Sequence, residues 1–413
     1  MKIQKEKFYT IIFVIVIFSQ LYMSSFRFNT FLQITVLFLF LLFEKIIFTK
    51  SLLRQIAPLF LIFFIGLAGT LIHSYALVNI IKDIFHIIKP INGLLIGYLF
   101  YKKINDFEKF IRTIVVAGFV SAIIHFGTIL LFSDITSVNG IRELARDNFL
   151  ELFSFFFLIF HKKFRNTNLF QTKSKHYLYI GVLTLSCILY FSRTMIVSAI
   201  ILLMSIYGYT YITRKGLKVI TAVIILIGAF YMYLFSVKID RNQPGLESFL
   251  FKIKNAPSEI FKTKIDRENH KDLWDHWRGY EAKRAYALMQ ENPSSFVFGN
   301  GYGSLVNLKF FAPLTENSND KGLKFISELH NGFAYILYKI GILGLVIYLY
   351  FLIRLYKTIY DKITIYSIYI SAIGLVYLFT TLTITGIYNS RDIIIFVLGA
   401  LLFFESKDRK AIP

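Results

Sequence analysis

The sequence has one cysteine, seven prolines and two tryptophans among its 413 residues. The single cysteine, Cys187, excludes a disulfide framework within the chain, and its position in an apolar run indicates a small buried side chain. Acidic side chains are also scarce, since 25 Asp and Glu stand against 46 Lys and Arg, for a formal net charge of +21. The excess lies in short linkers and not along one soluble face, so nucleic-acid binding is not expected.

Apolar side chains make up most of the chain. Hydrophobic residues account for 56% of it, Phe alone occurs 45 times, and the mean hydropathy is +0.59. A helix needs about 20 apolar residues to cross a bilayer, and about twelve runs approach that length. The pattern predicts an all-α polytopic membrane protein. About nine transmembrane helices fall in 1–236 and about three in 330–413, separated by one large, partly helical loop over 237–329.

The basic residues alternate between linkers. Every second linker is rich in them, and these linkers include Lys2, Lys5, Lys50, Arg54, Lys102, Lys103, Lys162, Lys163, Arg214, Lys215, Arg354, Lys357, Lys407 and Arg409. By the positive-inside rule, both termini are expected inside and the large loop outside, which in a bacterium would be the periplasm or the outer face. The basic N-terminus has no small-residue cleavage site, so it indicates a first membrane helix and not a removed signal.

The large loop holds both tryptophans of the chain. Apolar and aromatic residues from Leu273 to Leu288 recur at helical spacing, and Trp274 and Trp277 lie on this segment. Their rings could stack on a sugar or enter the membrane interface, and an ordinary amphipathic surface helix is the alternative. The glycines at 299, 301 and 303 follow no strand and open no βαβ unit, so they indicate a tight turn rather than a dinucleotide site.

Three polar residues are candidates for chemistry. His330 precedes a membrane helix and could accept a proton from an attacking hydroxyl, although a histidine there could also cap the helix or face headgroups. Arg193 lies between two apolar runs, where its planar fork suits a phosphate. Arg278 lies on the tryptophan helix. For each arginine, an ordinary loop or surface residue is the alternative.

These candidates share a side of the membrane. Under one topology Arg193, Arg278, His330 and Arg391 all fall on the outer face. Cations and one base at the interface suit a lipid-diphosphate substrate, whose anionic head lies at the membrane surface. The arginines would stabilise the diphosphate leaving group, and His330 would activate the acceptor hydroxyl.

The C-terminal half resembles the bacterial O-antigen ligase and O-antigen polymerase superfamily. The resemblance covers roughly 190–350 and rests on His330-Asn331 followed after nine residues by Gly341 and then Gly344, on Trp277-Arg278-Gly279 with Pro293, Gly299, Gly301 and Gly303, and on Ser192-Arg193-Thr194. It implies a membrane glycosyltransferase that inverts the anomeric centre and needs neither metal nor cofactor. The implied donor is an oligosaccharide on undecaprenyl diphosphate.

The resemblance also implies roles for individual residues. His330 corresponds to the base, and Arg193 and Arg278 correspond to diphosphate binders, which Arg284 would join. The acceptor is a second lipid-linked glycan in a polymerase and lipid A-core in a ligase. We favour a polymerase, because no feature specifically indicates lipid A-core binding. Membrane lipids and a chain-length regulator are the further partners that the resemblance admits.

A transporter or flippase of lipid-linked sugars is the alternative from another class. Many membrane helices with intramembrane charge suit transport as well as transfer. Transporters often contain two related halves with broken helices at the midplane. In this chain the halves differ and the polar residues concentrate in one outer loop, so the sequence favours an enzyme.

Overall fold

The computed structural model describes residues 2–410 except 24, 45–48, 145–147, 242, 244, 263, 267–268 and 314–321. Its helices are α1 (Lys2–Tyr22), α2 (Phe26–Phe43), α3 (Lys50–Leu71), α4 (Leu77–Ile104), α5 (Phe107–Phe132), α6 (Val138–Leu144), α7 (Phe149–Arg165), α8 (Lys173–Leu189), α9 (Arg193–Ile206), α10 (Arg214–Ser236), α11 (Leu246–Phe261), α12 (His270–Asp275), α13 (Trp277–Glu291), α14 (Ser295–Phe298), α15 (Gly332–Asp361), α16 (Ile365–Thr383) and α17 (Ile394–Lys410). A 3₁₀ turn spans Gly386–Tyr388, and the strands are β1 (Val306–Ala312) and β2 (Leu323–Ile326).

Seven helices in the described part of the chain are long and apolar enough to cross a membrane: α2, α3, α4, α5, α10, α15 and α16. The prediction of a mostly helical, polytopic membrane protein is confirmed. The other helices on predicted spans, α1, α7, α8, α9 and α17, are shorter or more polar. The predicted number of about twelve spans and the division at 236 and 329 therefore stay predictions.

Close contact between α4 and α17 forms the centre of the bundle. Gly93 and Gly97 lie four residues apart on α4, and a Cβ at Gly97 would lie 2.1 Å from the carbonyl oxygen of Phe396. Small residues at this spacing let two membrane helices approach closely, so that their backbones gain packing that lipid cannot supply. Around this pair, α15 packs along α3 and α16, and α5 packs along α7.

Helix α10 differs from the rest because it is almost entirely lipid-facing. Only 6% of its apolar window is buried inside the protein. It is tied instead to the large loop, since the Tyr231 hydroxyl donates to the carbonyl oxygen of Ile253 on α11 at 3.1 Å. Helix α11 also packs on α13 and α6, so it connects α10 to the rest of the protein.

The large loop contains an antiparallel hairpin that the sequence interpretation missed. Val306 pairs with Ile326 and Asn307 with Phe325. Side chains of β1 alternate between buried and less buried positions as far as Lys309, where a positive φ of 64° interrupts the register. The alternation is real but short and bulged, so it was not recognised within a polar segment.

The Gly299–Gly303 turn fastens this loop to the membrane helices. All three of its glycines have positive φ, as the prediction of a tight turn requires. Gly341, also at positive φ, breaks α15, and the backbone amides of Asn300 and Gly301 donate to the carbonyl oxygens of Tyr338 and Lys339 at the break, at 2.8 and 2.9 Å. The turn therefore satisfies carbonyls that the broken helix cannot pair by itself.

Buried polar contacts hold the same turn from the other side. The Tyr302 amide donates to Thr70 Oγ1 at 2.7 Å, and its hydroxyl donates to the Phe63 carbonyl oxygen at 2.9 Å. Asp83 on α4 accepts from the Gly303 amide at 2.7 Å and from Lys339 Nζ at 2.5 Å. Removing one partner of such a buried ion pair is costly, so this cluster fixes the loop over α15.

Candidate functional site

A cavity of about 610 Å³ lies between the large loop and one end of the bundle. It is lined by five cationic side chains, two carboxylates, both tryptophans and one histidine: Arg142, Arg193, Arg241, Lys252, Arg278, Glu259, Asp275, Trp274, Trp277 and His330. The excess of positive charge suits an anionic ligand. Helices far apart in sequence supply these groups, and each group is placed by a local feature.

A strained turn places Arg193. Helix α8 ends at Leu189, and Phe191 takes a φ of +44°, which is uncommon for an aromatic residue. Ser192 then caps α9 by accepting from the Met195 amide at 3.1 Å, so that Arg193 is the first residue of the helix. The hydroxyl of Tyr190 donates to the fully buried Glu151 at 3.0 Å and anchors the turn in the bundle.

Glu259 joins two arginines. Arg193 donates to both oxygens of Glu259, with Nη1 2.9 Å from Oε1 and Nη2 3.0 Å from Oε2. Arg278 Nη1 donates to Oε2 at 2.7 Å. This two-point geometry is how guanidinium groups bind carboxylates and phosphates. The two arginines, predicted on separate grounds, therefore meet at one anionic group.

Other cations surround this cluster. Arg241 forms a two-point ion pair with Asp275, at 2.6 and 3.0 Å. Burial, together with the charges of Arg142, Arg193 and Arg241, lowers the pKa of Lys252 to about 8. The five cations of the cavity repel one another, and its two carboxylates compensate only part of their charge.

His330 is held by a buried carboxylate. Its Nδ1 donates to Glu281, at 3.0 Å from Oε1 and 3.1 Å from Oε2, and its backbone amide donates to Oε2 at 3.0 Å. Glu281 lies on α13 and is only 1% exposed, whereas 57% of the His330 side chain is exposed at the cavity. With Nδ1 as the donor, Nε2 carries the free lone pair.

Two opposing effects set the basicity of His330. Partial desolvation of the ring by the surrounding protein acts to lower its pKa, but the hydrogen bond and the charge of Glu281 raise the pKa above its usual value. The nearby charge of Arg278 lowers it in part, and that of Glu328 raises it. A carboxylate that orients an imidazole and increases its basicity is the arrangement that a general base requires.

Asn331, the residue after His330, has a structural role in the motif that joins His330-Asn331 to Gly341. Asn331 caps α15, since its side chain accepts from the amides of Phe333 and Ala334 at 3.0 and 3.2 Å. The cap starts the helix, and the break at Gly341 lets the glycine turn of the loop bind against it. The spacing from His330 to Gly341 therefore positions the histidine relative to the loop.

The structure separates two arginines from this cavity. Arg284 was expected to join the diphosphate binders, but its Nε donates to the Asn307 carbonyl oxygen on β1 at 3.0 Å, and the residue does not line the cavity. Six residues after Arg278, it projects from a different face of α13. Arg391 lines a different, smaller cavity with Asp392. Neither arginine is placed to bind the same ligand.

The two tryptophans differ in exposure. Trp277 is 3% exposed and packs edge-on against Phe310, so most of its ring supports the cavity wall. Trp274 is 36% exposed and offers more surface. Two buried donors at the cavity, Trp277 Nε1 and Arg278 Nε, have no hydrogen-bond partner among the described residues. Such groups are costly to leave unsatisfied, and a polar ligand could satisfy them.

Residues 178–349 match the family model of the O-antigen ligase domain. This match supports the likeness of the C-terminal half to the O-antigen ligase and polymerase superfamily. The matched segment includes Arg193, Glu259, Arg278, Glu281 and His330 but covers less than half of the chain. No match to a curated protein was found. The match and the apolar helices together point to a multi-pass bacterial membrane protein of the glycan ligase or polymerase type.

The two carboxylates were the functional residues that the sequence interpretation missed. Glu281 follows Arg278 by three residues and Trp277 by four on α13, so these side chains share one side of the helix. That spacing was the available signal for Glu281. Glu259, on the separate helix α11, gave no local signal, because only the folded loop brings it to the arginines.

Proposed function

We propose that this protein transfers an oligosaccharide from undecaprenyl diphosphate to an acceptor hydroxyl. The reaction would take place at the periplasmic face of the inner membrane, with the 237–329 loop covering a site built on the 1–236 and 330–413 membrane parts. The observation that carries the proposal is the Glu259 carboxylate shared by Arg193 and Arg278 in the cavity that also contains His330.

Glu259 occupies the place of the substrate diphosphate in this proposal. A carboxylate bound by two arginines presents the charge and oxygen geometry that a phosphate group would also present. A diphosphate carries more charge and could also attract Lys252 and the buried donor Arg278 Nε. Its binding would displace Glu259 from the arginines, and helix α11 would move with it.

His330 acts as the general base. Glu281 holds Nδ1, so Nε2 is free to take the proton from the acceptor hydroxyl. The same contact stabilises the imidazolium that forms, because the carboxylate is already oriented toward the ring before reaction. A base of this kind contributes roughly 10²–10⁴-fold to the rate.

Bond exchange follows a single displacement. The acceptor oxygen attacks the anomeric carbon while the bond from that carbon to the diphosphate oxygen breaks on the opposite face, which inverts the anomeric centre. The proton passes to His330, and the electron pair leaves with the undecaprenyl diphosphate. Arg193 and Arg278 stabilise the negative charge on the leaving group. The cationic side chains of the cavity supply this charge stabilisation, so we propose a metal-independent reaction.

The acceptor distinguishes a polymerase from a ligase. We favour a second lipid-linked glycan as the acceptor, which makes the protein a polymerase that a chain-length regulator could control. Lipid A-core as the acceptor would make it a ligase. Both acceptors present a sugar hydroxyl to the same base, so His330 and the arginines would keep their roles in either case.

A surface-glycan gel of a deletion strain tests the proposal. Lipid A-core bearing one repeat unit indicates a lost polymerase, whereas bare core with accumulated lipid-linked polymer indicates a lost ligase. Restoration by the wild-type chain and by His73→Ala, but not by His330→Ala, is expected, because His73 lies at the same end of the bundle but does not line the cavity. An unchanged glycan profile in the deletion strain would contradict glycan transfer.

A further inference from the structure

A second basic cavity, of about 700 Å³, lies at the end of the bundle opposite to His330. Helix α15 begins beside His330, and Lys357, 25 residues after Gly332, lies roughly 38 Å farther along the helix at 1.5 Å per residue. The cavity is lined by the start of α3 and the ends of α15 and α17. It is therefore separate from the candidate active site.

Positive charge dominates this cavity. Its cations are Lys50, Arg54, Arg354, Lys357 and Arg409, and its acids are Asp361 and Glu405. Arg409 pairs with both acids, with Nη2 2.6 Å from Asp361 Oδ2 and Nε bonded to Glu405 Oε1. Arg409 thus contacts both carboxylates, and five cations against two acids leave the cavity a formal charge of +3.

Three of those cations have no partner within the described part of the chain. The side chains of Lys50, Arg54 and Lys357 form no hydrogen bond or ion pair with any described residue. Arg354 donates to the Arg54 carbonyl oxygen at 2.5 Å, which draws the ends of α3 and α15 together. Bringing unpaired cations together is unfavourable unless an anion or water compensates their charge.

The cavity opens toward lipid on one side. Tyr350 and Ile353 line it and are 57% and 50% exposed, and they lie one to two helical turns before Lys357 on α15. The basic groups thus lie at the polar end of a surface whose other end is apolar. Basic pockets between membrane helices with this layout bind the headgroups of anionic lipids.

The positive-inside rule alone does not account for the imbalance. Another cavity at the same end of the bundle contains Lys102, Lys103 and Arg165, and the acids Glu6, Asp106 and Glu108 match these cations in number. Lys103 is, in addition, paired with Glu44 at 2.5 Å. The same face of the protein therefore balances its charge in one cavity and leaves it unbalanced in the other.

We propose that the cavity between α3, α15 and α17 binds an anionic phospholipid. Arg54 and Lys357 hold the phosphodiester, with Lys50 beside them, and the acyl chains lie against Tyr350 and Ile353. The phosphate of the headgroup is the recognised group, and its attachment to acyl chains distinguishes this ligand from a soluble phosphate.

Native mass spectrometry of the purified full chain in neutral detergent tests this site. The probe is phosphatidylglycerol, with phosphatidylcholine as the zwitterionic comparison. Arg54→Gln/Lys357→Gln is expected to weaken phosphatidylglycerol binding by roughly 25-fold, since each cation near an anionic headgroup contributes about a fivefold factor. Arg54→Lys/Lys357→Arg keeps both charges and should keep binding.

Arg214→Gln/Lys218→Gln is the matched control. It also removes one arginine and one lysine at the same end of the bundle, from exposed positions on α10 that line neither basic cavity. Equal loss of phosphatidylglycerol in the two glutamine variants would overturn the proposal, as would equal binding of the two lipids by the wild type. Competition by inorganic phosphate at the same concentration as the lipid would assign the cavity to a soluble anion instead.

Discussion

Glu281 holds His330 at two points, because its Oε2 accepts the backbone amide at 3.0 Å while its carboxylate lies 3.0 Å from the ring Nδ1. One contact fixes the start of α15 and the other orients the imidazole. The carboxylate that positions the base thus also joins the large loop to the membrane helix. This pairing leads to the first prediction.

Glu281→Gln should move the acidic limb of the pH–rate profile to lower pH. The charge of Glu281 raises the pKa of His330, and a general base must be neutral, so the rate rises as pH increases through that pKa. Glutamine can accept a hydrogen bond but carries no charge. The measurement is kcat/KM against pH with a lipid-diphosphate donor, and an unmoved limb would contradict the coupling.

The same pair makes a stability contribution of known sign. Because the pKa of His330 is raised in the folded state, its stabilising contribution is fully present below the unfolded pKa and is lost as pH rises through the folded value. As pH rises between the unfolded and the folded pKa of His330, the melting temperature of the wild type should therefore fall more than that of Glu281→Gln. If the melting temperatures of the two proteins changed equally with pH, that result would argue against a charged pair between Glu281 and His330.

Arg193→Lys should lower kcat/KM by about 10–100-fold. A lysine replaces a two-point fork by a single charge, and one charge-assisted hydrogen bond contributes about 1.5–3 kcal/mol. Arg284→Lys is the matched control, since Arg284 bonds to β1 outside the cavity. Equal losses in the two variants, measured per amount of folded protein, would indicate a structural role for Arg193.

Glu259→Gln should tighten the binding of a soluble diphosphate such as a short prenyl diphosphate. The substitution removes the charge that competes for Arg193 and Arg278, and a gain of about tenfold corresponds to 1.4 kcal/mol. The matched control is Glu247→Gln. Glu247 lies on the same helix α11 but outside the cavity, so this substitution should leave the diphosphate affinity unchanged. Titration calorimetry gives the comparison. Weaker or unchanged binding in Glu259→Gln would show that Glu259 does not occupy the ligand position.

Deprotonation of Lys252 should weaken the binding of the prenyl diphosphate at basic pH. The pKa of Lys252 is lowered to about 8, so its positive charge, and with it the affinity for an anion, declines as pH rises through that value. Lys252→Arg keeps the charge and should move this loss of affinity to higher pH. The dissociation constant of the prenyl diphosphate against pH tests this, and coincident profiles would exclude Lys252 from binding.

The sequence predicted which candidate residues lie at the same face of the membrane. Alternating basic linkers placed Arg193, Arg278 and His330 on one face, and the structure gathers these three in one cavity. Arg284 lies outside that cavity, because a residue six positions after Arg278 projects from a different face of α13.

The carboxylates could not be predicted in the same way. An acidic residue in a polar loop is usually solvated, and only the fold shows that Glu259 meets two arginines and that Glu281 is buried beneath His330. The helices were predictable because apolar runs of bilayer length have few alternatives. The hairpin was not, since its pairing joins two short strands that are separated by ten residues in the sequence.

The proposed role of His330 is to activate the acceptor in a cavity that also holds the donor diphosphate. Its most direct test is the release of undecaprenyl diphosphate from a synthetic lipid-linked oligosaccharide by purified protein in liposomes, with acceptor present. His330→Ala should reduce this rate by roughly 10²–10⁴-fold while donor binding persists, and His73→Ala should match the wild type. A wild-type rate from His330→Ala would contradict the account.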